Sequence, residues 1–209
     1  MRIGVIGFQG DVEEHIDMFM NISREQNRDV SPVSVRRKED LKGVSGIVIP
    51  GGESTTIYKL TKEYEIYNEV KRMVLENDVP FMGTCAGLIL SSADTADDRV
   101  TGMGILDVKI NRNAYGRQFQ SFIKDIDIEG IGKFTAVFIR APIIRDPGSC
   151  KVMAYDRGNP VMVRSGKRIG LTFHPELTHD LRIHEYFLNM VEGGGSVSSG
   201  SYEIKVGVS

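Results

Sequence analysis

The stretch Val79-Pro80-Phe81-Met82-Gly83-Thr84-Cys85-Ala86-Gly87-Leu88 decides the fold class. Its apolar first half predicts a buried strand, and the residues after Cys85 predict a helix. A strand that turns into a helix around one residue flanked by Gly83 and Gly87 is the cysteine form of a nucleophile elbow. Such a turn places the sulfur at the carboxyl end of the sheet and at a helix N-terminus, where N–H groups favour a thiolate. The alternative is a structural cysteine beside a tight turn.

The pattern around this stretch predicts an α/β fold. Short apolar runs such as Arg2 to Gly7 and Val44 to Pro50 read as buried strands and alternate with helix-like segments. This alternation predicts a mostly parallel central sheet with helices on both faces. From Leu106 to Phe173 the chain reads instead as strands joined by glycine-bearing turns, including Asp156-Arg157-Gly158-Asn159, which predicts antiparallel hairpins.

Length and composition narrow the class of protein. The chain has 209 residues and a formal net charge of -2, which suits one domain and gives no reason to expect a nucleic-acid partner. No apolar stretch reaches the roughly 20 residues that span a bilayer, so we expect no membrane segment and a cytoplasmic protein with free thiols at Cys85 and Cys150. We expect residues 1–192 to form a single domain, and the Gly/Ser-rich residues 193–209 to form a flexible tail.

A cysteine nucleophile needs a base and a group that orients the base. Of the four histidines, His15 and His184 lie in helix-like segments and read as surface or groove residues. His174 ends a predicted strand, and Pro175 biases it toward an extended backbone. Residues two apart in extended chain face the same side, so Glu176 can orient the His174 ring. The alternative is a loop histidine beside a capping glutamate.

The segment Pro50-Gly51-Gly52-Glu53-Ser54-Thr55-Thr56 follows a predicted strand and opens a helix. Its N–H groups, with that of Ala86, could stabilise the oxyanion of a tetrahedral intermediate, and we assign this role to Gly52 and Ala86. A phosphate-binding loop lacks the Lys-Ser/Thr of its motif. A plain strand–helix turn capped by Ser54 is the remaining alternative.

These residues resemble the glutaminase subunits of pyridoxal 5'-phosphate synthase, which are triad-type glutamine amidotransferases. The Gly-x-Cys-x-Gly and His-Pro-Glu motifs specify only the wider superfamily. Three other segments narrow the resemblance to the vitamin B6 branch: residues 51–56, residues 111–118 (Asn-Arg-Asn-Ala-Tyr-Gly-Arg-Gln) and residues 137–142 (Val-Phe-Ile-Arg-Ala-Pro). The resemblance runs from about Arg2 to Val191.

The resemblance implies a flavodoxin-like three-layer α/β/α fold and hydrolysis of L-glutamine to L-glutamate and ammonia, without cofactor or metal. It also implies a hetero-oligomer with a (β/α)8-barrel synthase subunit that uses the ammonia to make pyridoxal 5'-phosphate. Carried over by position, the catalytic residues are Cys85, His174 and Glu176. The implied glutamine-binding residues are Gly52, Glu53, Ser54, Arg112, Ile139 and Arg140. A carboxylate suits the α-ammonium of glutamine, and Arg140 or Arg112 suits its α-carboxylate.

Three other hypotheses remain open at this point. The same triad could serve another ammonia acceptor, such as imidazole glycerol phosphate synthesis. The chain could be a non-catalytic regulatory module, against which an intact triad argues. It could also be another cysteine hydrolase of flavodoxin-like fold, which gives no reason for the Gly-Gly-Glu-Ser loop.

Overall fold

The computed structural model describes residues 1–111 and 121–193. The strands are β1 (Arg2–Ile6), β2 (Ser31–Val35), β3 (Gly46–Ile49), β4 (Phe81–Thr84), β5 (Lys109–Asn111), β6 (Ser121–Ile128), β7 (Gly132–Ile139), β8 (Ile143–Asp146), β9 (Lys151–Asp156), β10 (Asn159–Ser165) and β11 (Arg168–Leu171). The helices are α1 (Val12–Gln26), α2 (Ser54–Glu63), α3 (Ile66–Glu76), α4 (Ala86–Ser91) and α5 (Arg182–Val191). Short 3-10 helices span Lys38–Leu41 and Pro175–Leu177.

Among these described residues, nine strands form one sheet in the order β2-β1-β3-β4-β11-β10-β9-β6-β7. The first five strands in this order pair in parallel, and the remaining pairings are antiparallel. The parallel half has the 2-1-3-4-5 strand order of flavodoxin-like folds, whose ligands bind outside the carboxyl ends of the strands. The predicted α/β class is confirmed, as is the predicted hairpin at Asp156–Asn159.

Apolar side chains cover both faces of the sheet. Helices α1 and α5 pack on one face through Phe19 and Phe187, together with Phe138 of β7. Helices α2, α3 and α4 pack on the other through Ile57, Val70 and Leu88. The three-layer arrangement follows from strands that are apolar on both sides. Within the described ranges, no helix combines the length and apolar character that a membrane span requires.

One strand differs from the sequence-based expectations. Strand β8 was not predicted; it pairs with β5 in a separate small antiparallel sheet. Of the expected tail, residues 193–209, only Gly193 lies within the described residues.

Candidate active site

Two neighbouring parallel strands bring the cysteine and the histidine together. The N–H of Cys85, just after β4, donates to the carbonyl oxygen of Leu171 at the end of β11, at 2.8 Å. Three residues later, the N–H of His174 donates to the carbonyl oxygen of Val137 in β7, also at 2.8 Å. Both side chains therefore lie at the carboxyl edge of the parallel half, as the strand pattern predicted.

The turn at Cys85 is held in a conformation that side chains rarely adopt. Its backbone has φ 48° and ψ −99°, and α4 begins at the next residue. A β-carbon added to Gly87 would lie 1.9 Å from the carbonyl oxygen of Ile49, and one added to Gly83 would lie 2.7 Å from the backbone of Gly87. The predicted need for glycine on both sides of the cysteine is met. Ala86 is the first residue of α4, so its N–H has no intrahelical acceptor.

The side chains of His174 and Glu176 form the predicted pair. Nδ1 of His174 lies 2.8 Å from Oε1 of Glu176. His174 is extended, with φ −110° and ψ 90°, as Pro175 leads one to expect. The extended chain expected at Glu176 is wrong, however, because Pro175–Leu177 forms a 3-10 helix. The turn of this helix, and not strand alternation, returns the carboxylate to the ring.

A second carboxylate shares the same nitrogen, and the sequence motifs did not identify it. Oδ2 of Asp11, the residue before α1, lies 3.0 Å from Nδ1 of His174. Asp11 also donates its N–H to the carbonyl oxygen of Gly51 at 3.4 Å. Its position directly after Gly7-Phe8-Gln9-Gly10, the turn that follows β1 at the carboxyl edge of the sheet, is the one signal that could have found it.

These contacts set the protonation of the ring. Burial lowers the pKa of His174, but hydrogen bonds with Asp11, Cys85 and Glu176 act against it, and the net effect is a raised pKa. Burial raises the pKa of Glu176, and its hydrogen bond with His174 only partly offsets this. The pKa of Asp11 is lowered, chiefly by its hydrogen bond to His174. The imidazolium form of His174 is therefore favoured at neutral pH.

The opposite nitrogen of the ring, Nε2 of His174, is buried and has no hydrogen-bond partner among the described residues. Cys85 interacts with the ring closely enough to help raise the pKa of His174. The sulfur of Cys85 lies 3.8 Å from the carbonyl oxygen of Ile139, to which its S–H can donate. Cys85, His174 and Glu176 are only 7%, 3% and 4% exposed, so bulk water is largely kept from all three groups. The neighbouring Ile139 and Arg140 are exposed.

The glycine loop after β3 lies directly against the base. A β-carbon on Gly51 would lie 2.3 Å from Cε1 of His174, so only glycine allows this approach. Gly52 has φ +143°, and the N–H of Glu53 donates to Oε1 of Gln9 at 2.7 Å. The loop is thus clamped between the end of β1 and the His174 ring, beside the elbow that carries Ala86.

The expected substrate-binding residues occupy different environments. Glu53 caps α2, because its carboxylate accepts from the N–H groups of Thr55 and Thr56 at 3.2 and 2.7 Å. Burial raises the pKa of Glu53, but the Thr56 and Thr55 hydrogen bonds outweigh it and lower the value to about 2. The cap is therefore Glu53 and not Ser54, which is buried as the first residue of the helix.

The two arginines expected to bind the substrate are Arg140 and Arg112. Arg140 follows the Ile139 carbonyl that contacts Cys85, and it has φ +46°, a left-handed value that is uncommon for a residue with a side chain. Its exposed side chain is at the edge where a substrate carboxylate could approach. Arg112 lies outside the described residues.

His15 and His184 are not surface residues, so that expectation was wrong. Both are on helices, α1 and α5, but both are completely buried. Nε2 of His15 lies 3.4 Å from Oε2 of Glu176. Helical spacing placed the two residues on helices correctly, but it did not show which residues of other elements they contact.

Most of the chain matches a known protein family. Residues 5–193 match the SNO glutamine amidotransferase family. The chain belongs to the SNO glutamine amidotransferase family.

Relatives of this SNO-family chain are closely similar over nearly their whole length. "Pyridoxal 5'-phosphate synthase subunit PdxT" of Thermoplasma acidophilum is 58% identical over 200 residues, covering 95% of this chain and 98% of that protein. The protein of the same name from Thermoplasma volcanium is 60% identical over 199 residues, with the same coverage. A solved structure described as a glutamine amidotransferase superposes with a TM-score of 0.82 at 41% identity, covering 91% of this chain and 98% of the other.

Membership of the SNO family confirms the resemblance found in the sequence and the expectation of a glutaminase-type enzyme. In the described parts of this chain, one group of three side chains has ligand atoms close enough to hold a metal ion: Asp11, His174 and Glu176, within 4.8 Å of one another. Both carboxylates face Nδ1 of the imidazole at hydrogen-bonding distance, so a proton on that nitrogen satisfies them.

Proposed function

We propose that this chain is the glutaminase subunit of a pyridoxal 5'-phosphate synthase. It hydrolyses L-glutamine to L-glutamate and ammonia and passes the ammonia to a synthase subunit. Family membership and the names of the relatives support this assignment. The observation that carries it is the 2.8 Å hydrogen bond between His174 and Glu176, in a site where the ring also interacts with a cysteine on a strained elbow.

In the first half-reaction, glutamine binds with its side-chain amide carbon over Cys85. The thiolate forms the S–C bond, and the N–H groups of Gly52 and Ala86 hold the oxyanion. His174, which the two carboxylates favour as imidazolium, gives its Nε2 proton to the amide nitrogen. The C–N bond then breaks, leaving ammonia and a glutamyl thioester on Cys85.

In the second half-reaction, the neutral His174 accepts a proton from water. The water oxygen forms a bond to the thioester carbon, the C–S bond breaks, and glutamate leaves with the thiolate restored. Glu176 keeps the Nδ1 proton in place in both steps, as the acid of a serine triad does. Every proton therefore moves through Nε2, the ring atom on the cysteine side.

The substrate ends are assigned from their charges. The α-carboxylate of glutamine suits the exposed guanidinium of Arg140, or that of Arg112, through paired hydrogen bonds. Glu53 and Ser54 at the start of α2 suit the α-ammonium, and Ile139 supplies a carbonyl beside the sulfur. Both oxygens of Glu53 already accept from Thr55 and Thr56, so the substrate would share these acceptors with the helix cap.

The acceptor of the ammonia is a separate subunit. We propose a (β/α)8-barrel synthase in a cytoplasmic hetero-oligomer, which receives ammonia directly because ammonium formed in bulk water is no nucleophile. The burial of the triad fits delivery away from solvent.

The test is glutamine hydrolysis by the wild-type chain and by Cys85→Ala, each with and without the synthase subunit. We expect ammonia and glutamate in equal amounts from the wild type with the synthase, and no activity above background from Cys85→Ala. A glutamine-like chloroketone should label wild-type Cys85. If Cys85→Ala kept its glutaminase activity with the synthase present, the proposed mechanism would be wrong.

A further inference from the structure

A pair of buried histidines lies behind the triad and takes no part in the steps above. Nδ1 of His15 in α1 and Nε2 of His184 in α5 are 2.9 Å apart. Both side chains are fully buried, and the edge of the Phe19 ring packs on His184 with centroids 5.1 Å apart. Burying two adjacent imidazoles in an apolar layer costs free energy unless their nitrogen atoms form hydrogen bonds.

The pair lies beside the oxygen of the triad carboxylate that lacks a hydrogen-bond partner. Oε1 of Glu176 is occupied by His174, and Oε2 is buried without an ordinary hydrogen bond. Nε2 of His15 is the nearby donor, at 3.4 Å from Oε2, and it also lies 3.2 Å from Oγ1 of Thr84, the residue before the nucleophile. His15 thus reaches both the triad carboxylate and the strand that carries the cysteine.

The positions of the protons follow from the contacts. Burial lowers the pKa of His15 well below its usual value and that of His184 to about 3, so both rings are neutral with one N–H each. If His184 donates from Nε2, His15 accepts at Nδ1 and donates from Nε2 toward Glu176. The only cost is a bare acceptor at Nδ1 of His184, which has no partner.

The reverse arrangement is worse in two respects. It leaves a buried N–H on His184 without an acceptor, which costs more than an unused lone pair. It also turns the lone pair of His15 toward a carboxylate oxygen. In the favoured arrangement, therefore, His184 donates to His15 and His15 donates to Glu176. His174 donates to the other oxygen of the same carboxylate.

We propose that His15, held in its tautomer by His184, is a positioning residue that fixes the second oxygen of Glu176 and keeps that carboxylate charged. The inference rests on the proposed glutaminase function. Three groups face Glu176: His174 at Oε1, His15 at Oε2, and the carboxylate of Asp11. The negative charge of Asp11 repels that of Glu176. Two N–H donors are needed because burial and Asp11 both favour the protonated acid.

The sign of the effect on catalysis follows. Burial already raises the pKa of Glu176 to about 7, and loss of a donor to the carboxylate raises it further. A protonated Glu176 no longer orients His174. Removing the His15 donor should therefore move the acid limb of the kcat/KM profile to higher pH, while the alkaline limb stays in place.

The experiment compares His15→Gln, whose amide can donate near the position of Nε2, with His15→Leu, which cannot donate. The kcat/KM for glutamine is measured from pH 5.5 to 9 with the synthase subunit present, alongside the chloroketone labelling rate of Cys85. We expect His15→Leu to lose about tenfold or more near pH 6.5, with its acid limb displaced, as loss of a hydrogen bond to a charged group implies. His15→Gln should retain the wild-type limb. Ile22→Val, a buried change in the same helix without a ring contact to His184, controls for packing and should leave both limbs in place.

The outcomes separate the explanations. If His15→Leu is folded and its rate falls equally at every pH, or if both His15 variants displace the limb equally, the donor role is refuted. If His15→Leu does not fold, His15→Asn replaces it, because its shorter amide cannot reach Glu176 and should displace the limb where His15→Gln does not. If wild-type protein with its synthase hydrolyses no glutamine, it is the proposed function that fails, and not the positioning role alone.

Discussion

At the residue scale, Nδ1 of His174 faces Asp11 at 3.0 Å as well as Glu176 at 2.8 Å. A triad has one acid on this nitrogen, and here a second carboxylate shares it. Glu176 is fully enclosed, whereas the side chain of Asp11 is 27% exposed. Asp11 is therefore the partner through which solvent conditions and the neighbouring Gly51 loop can act on the base.

In Asp11→Asn, the alkaline limb of the pH profile of activity should move to lower pH. The hydrogen bond that His174 donates to Asp11 raises the pKa of the imidazole, so its loss lowers that pKa, and the imidazolium loses its proton at lower pH. Near pH 9 we expect kcat/KM to fall on the order of tenfold relative to wild type, since a hydrogen bond to a charged group contributes about 1.5–3 kcal/mol. The acid limb should hardly move.

The measurement is the full pH profile of glutaminase activity with the synthase subunit. Asp17→Asn is the matched control, because Asp17 lies on the exposed side of the same helix and carries the same charge change. An unchanged alkaline limb in Asp11→Asn would show that Glu176 alone sets the protonation of His174.

The sequence predicted the residues whose neighbours carry a signal. Cys85 stands between two glycines, and His174 and Glu176 flank a proline, so local geometry alone suggested their roles. Asp11 and His15 reach the same site from a different part of the chain. The apolar stripe of α1 indicates the face that meets the sheet, but it does not tell which residues of other elements that face contacts. Their contacts depend on the packing of α1 on the sheet, which only the fold reveals.

At the element scale, the elbow depends on how closely α4 approaches β3. The Cα of Gly87 packs against the carbonyl oxygen of Ile49, where an added β-carbon would lie at 1.9 Å. A contact under 3 Å with backbone cannot be relieved by a rotamer change. The helix would have to move away from the sheet and carry Cys85 with it.

Gly87→Ala should therefore destabilise the fold by about 3 kcal/mol or more, the upper range for overpacking. Gly130→Ala is the control: Gly130 has φ +78° and open space around it, so only the backbone penalty of about 1–2 kcal/mol applies. Urea unfolding measures both changes. Equal losses in the two variants would mean that the α4–β3 approach imposes no constraint of its own.

Long, strongly patterned elements were predicted well, and short edge elements were not. Residues 168–173 and 81–84 gave clear apolar runs because their strands are covered on both faces. Strand β8 has the mixed burial of an edge element, with Arg145 and Asp146 in its second half, and resembles a loop in sequence. Its strand conformation comes from pairing with β5, which is a tertiary contact.

At the scale of the whole molecule, the active site joins the two halves of the sheet. Cys85 and His174 come from the parallel half, while the carbonyl oxygens of Ile139 and Val137, which contact them, come from β7 at the far end of the strand order. The antiparallel strands thus curve back toward the carboxyl edge of the parallel ones. Composition and periodicity predicted both halves but not this closure.

Removal of residues 194–209 should leave the enzyme unchanged. We propose that residues 1–192 form one domain, since α5 ends at Val191 and is capped at Glu192. Thermal unfolding and synthase-dependent glutaminase rates of the shortened chain should match those of the full chain. A fall in Tm of more than about 3 °C, or about 1 kcal/mol at this size, would show that the tail belongs to the domain. A chain ending at Asp180, which lacks Phe187 and the rest of α5, should fail to fold.

The position of β11 affects how the chain can fold while it is being synthesised. Among the strands that the structure describes it is the last to leave the ribosome, yet it lies in the middle of the sheet, between β4 and β10. Until Arg168–Leu171 has emerged, β4 has an open edge and the hairpin region has no parallel neighbour. A nascent chain thus carries its cysteine without its base. It cannot hydrolyse glutamine before His174 has emerged, and its exposed apolar edge is the point at which a chaperone would be needed.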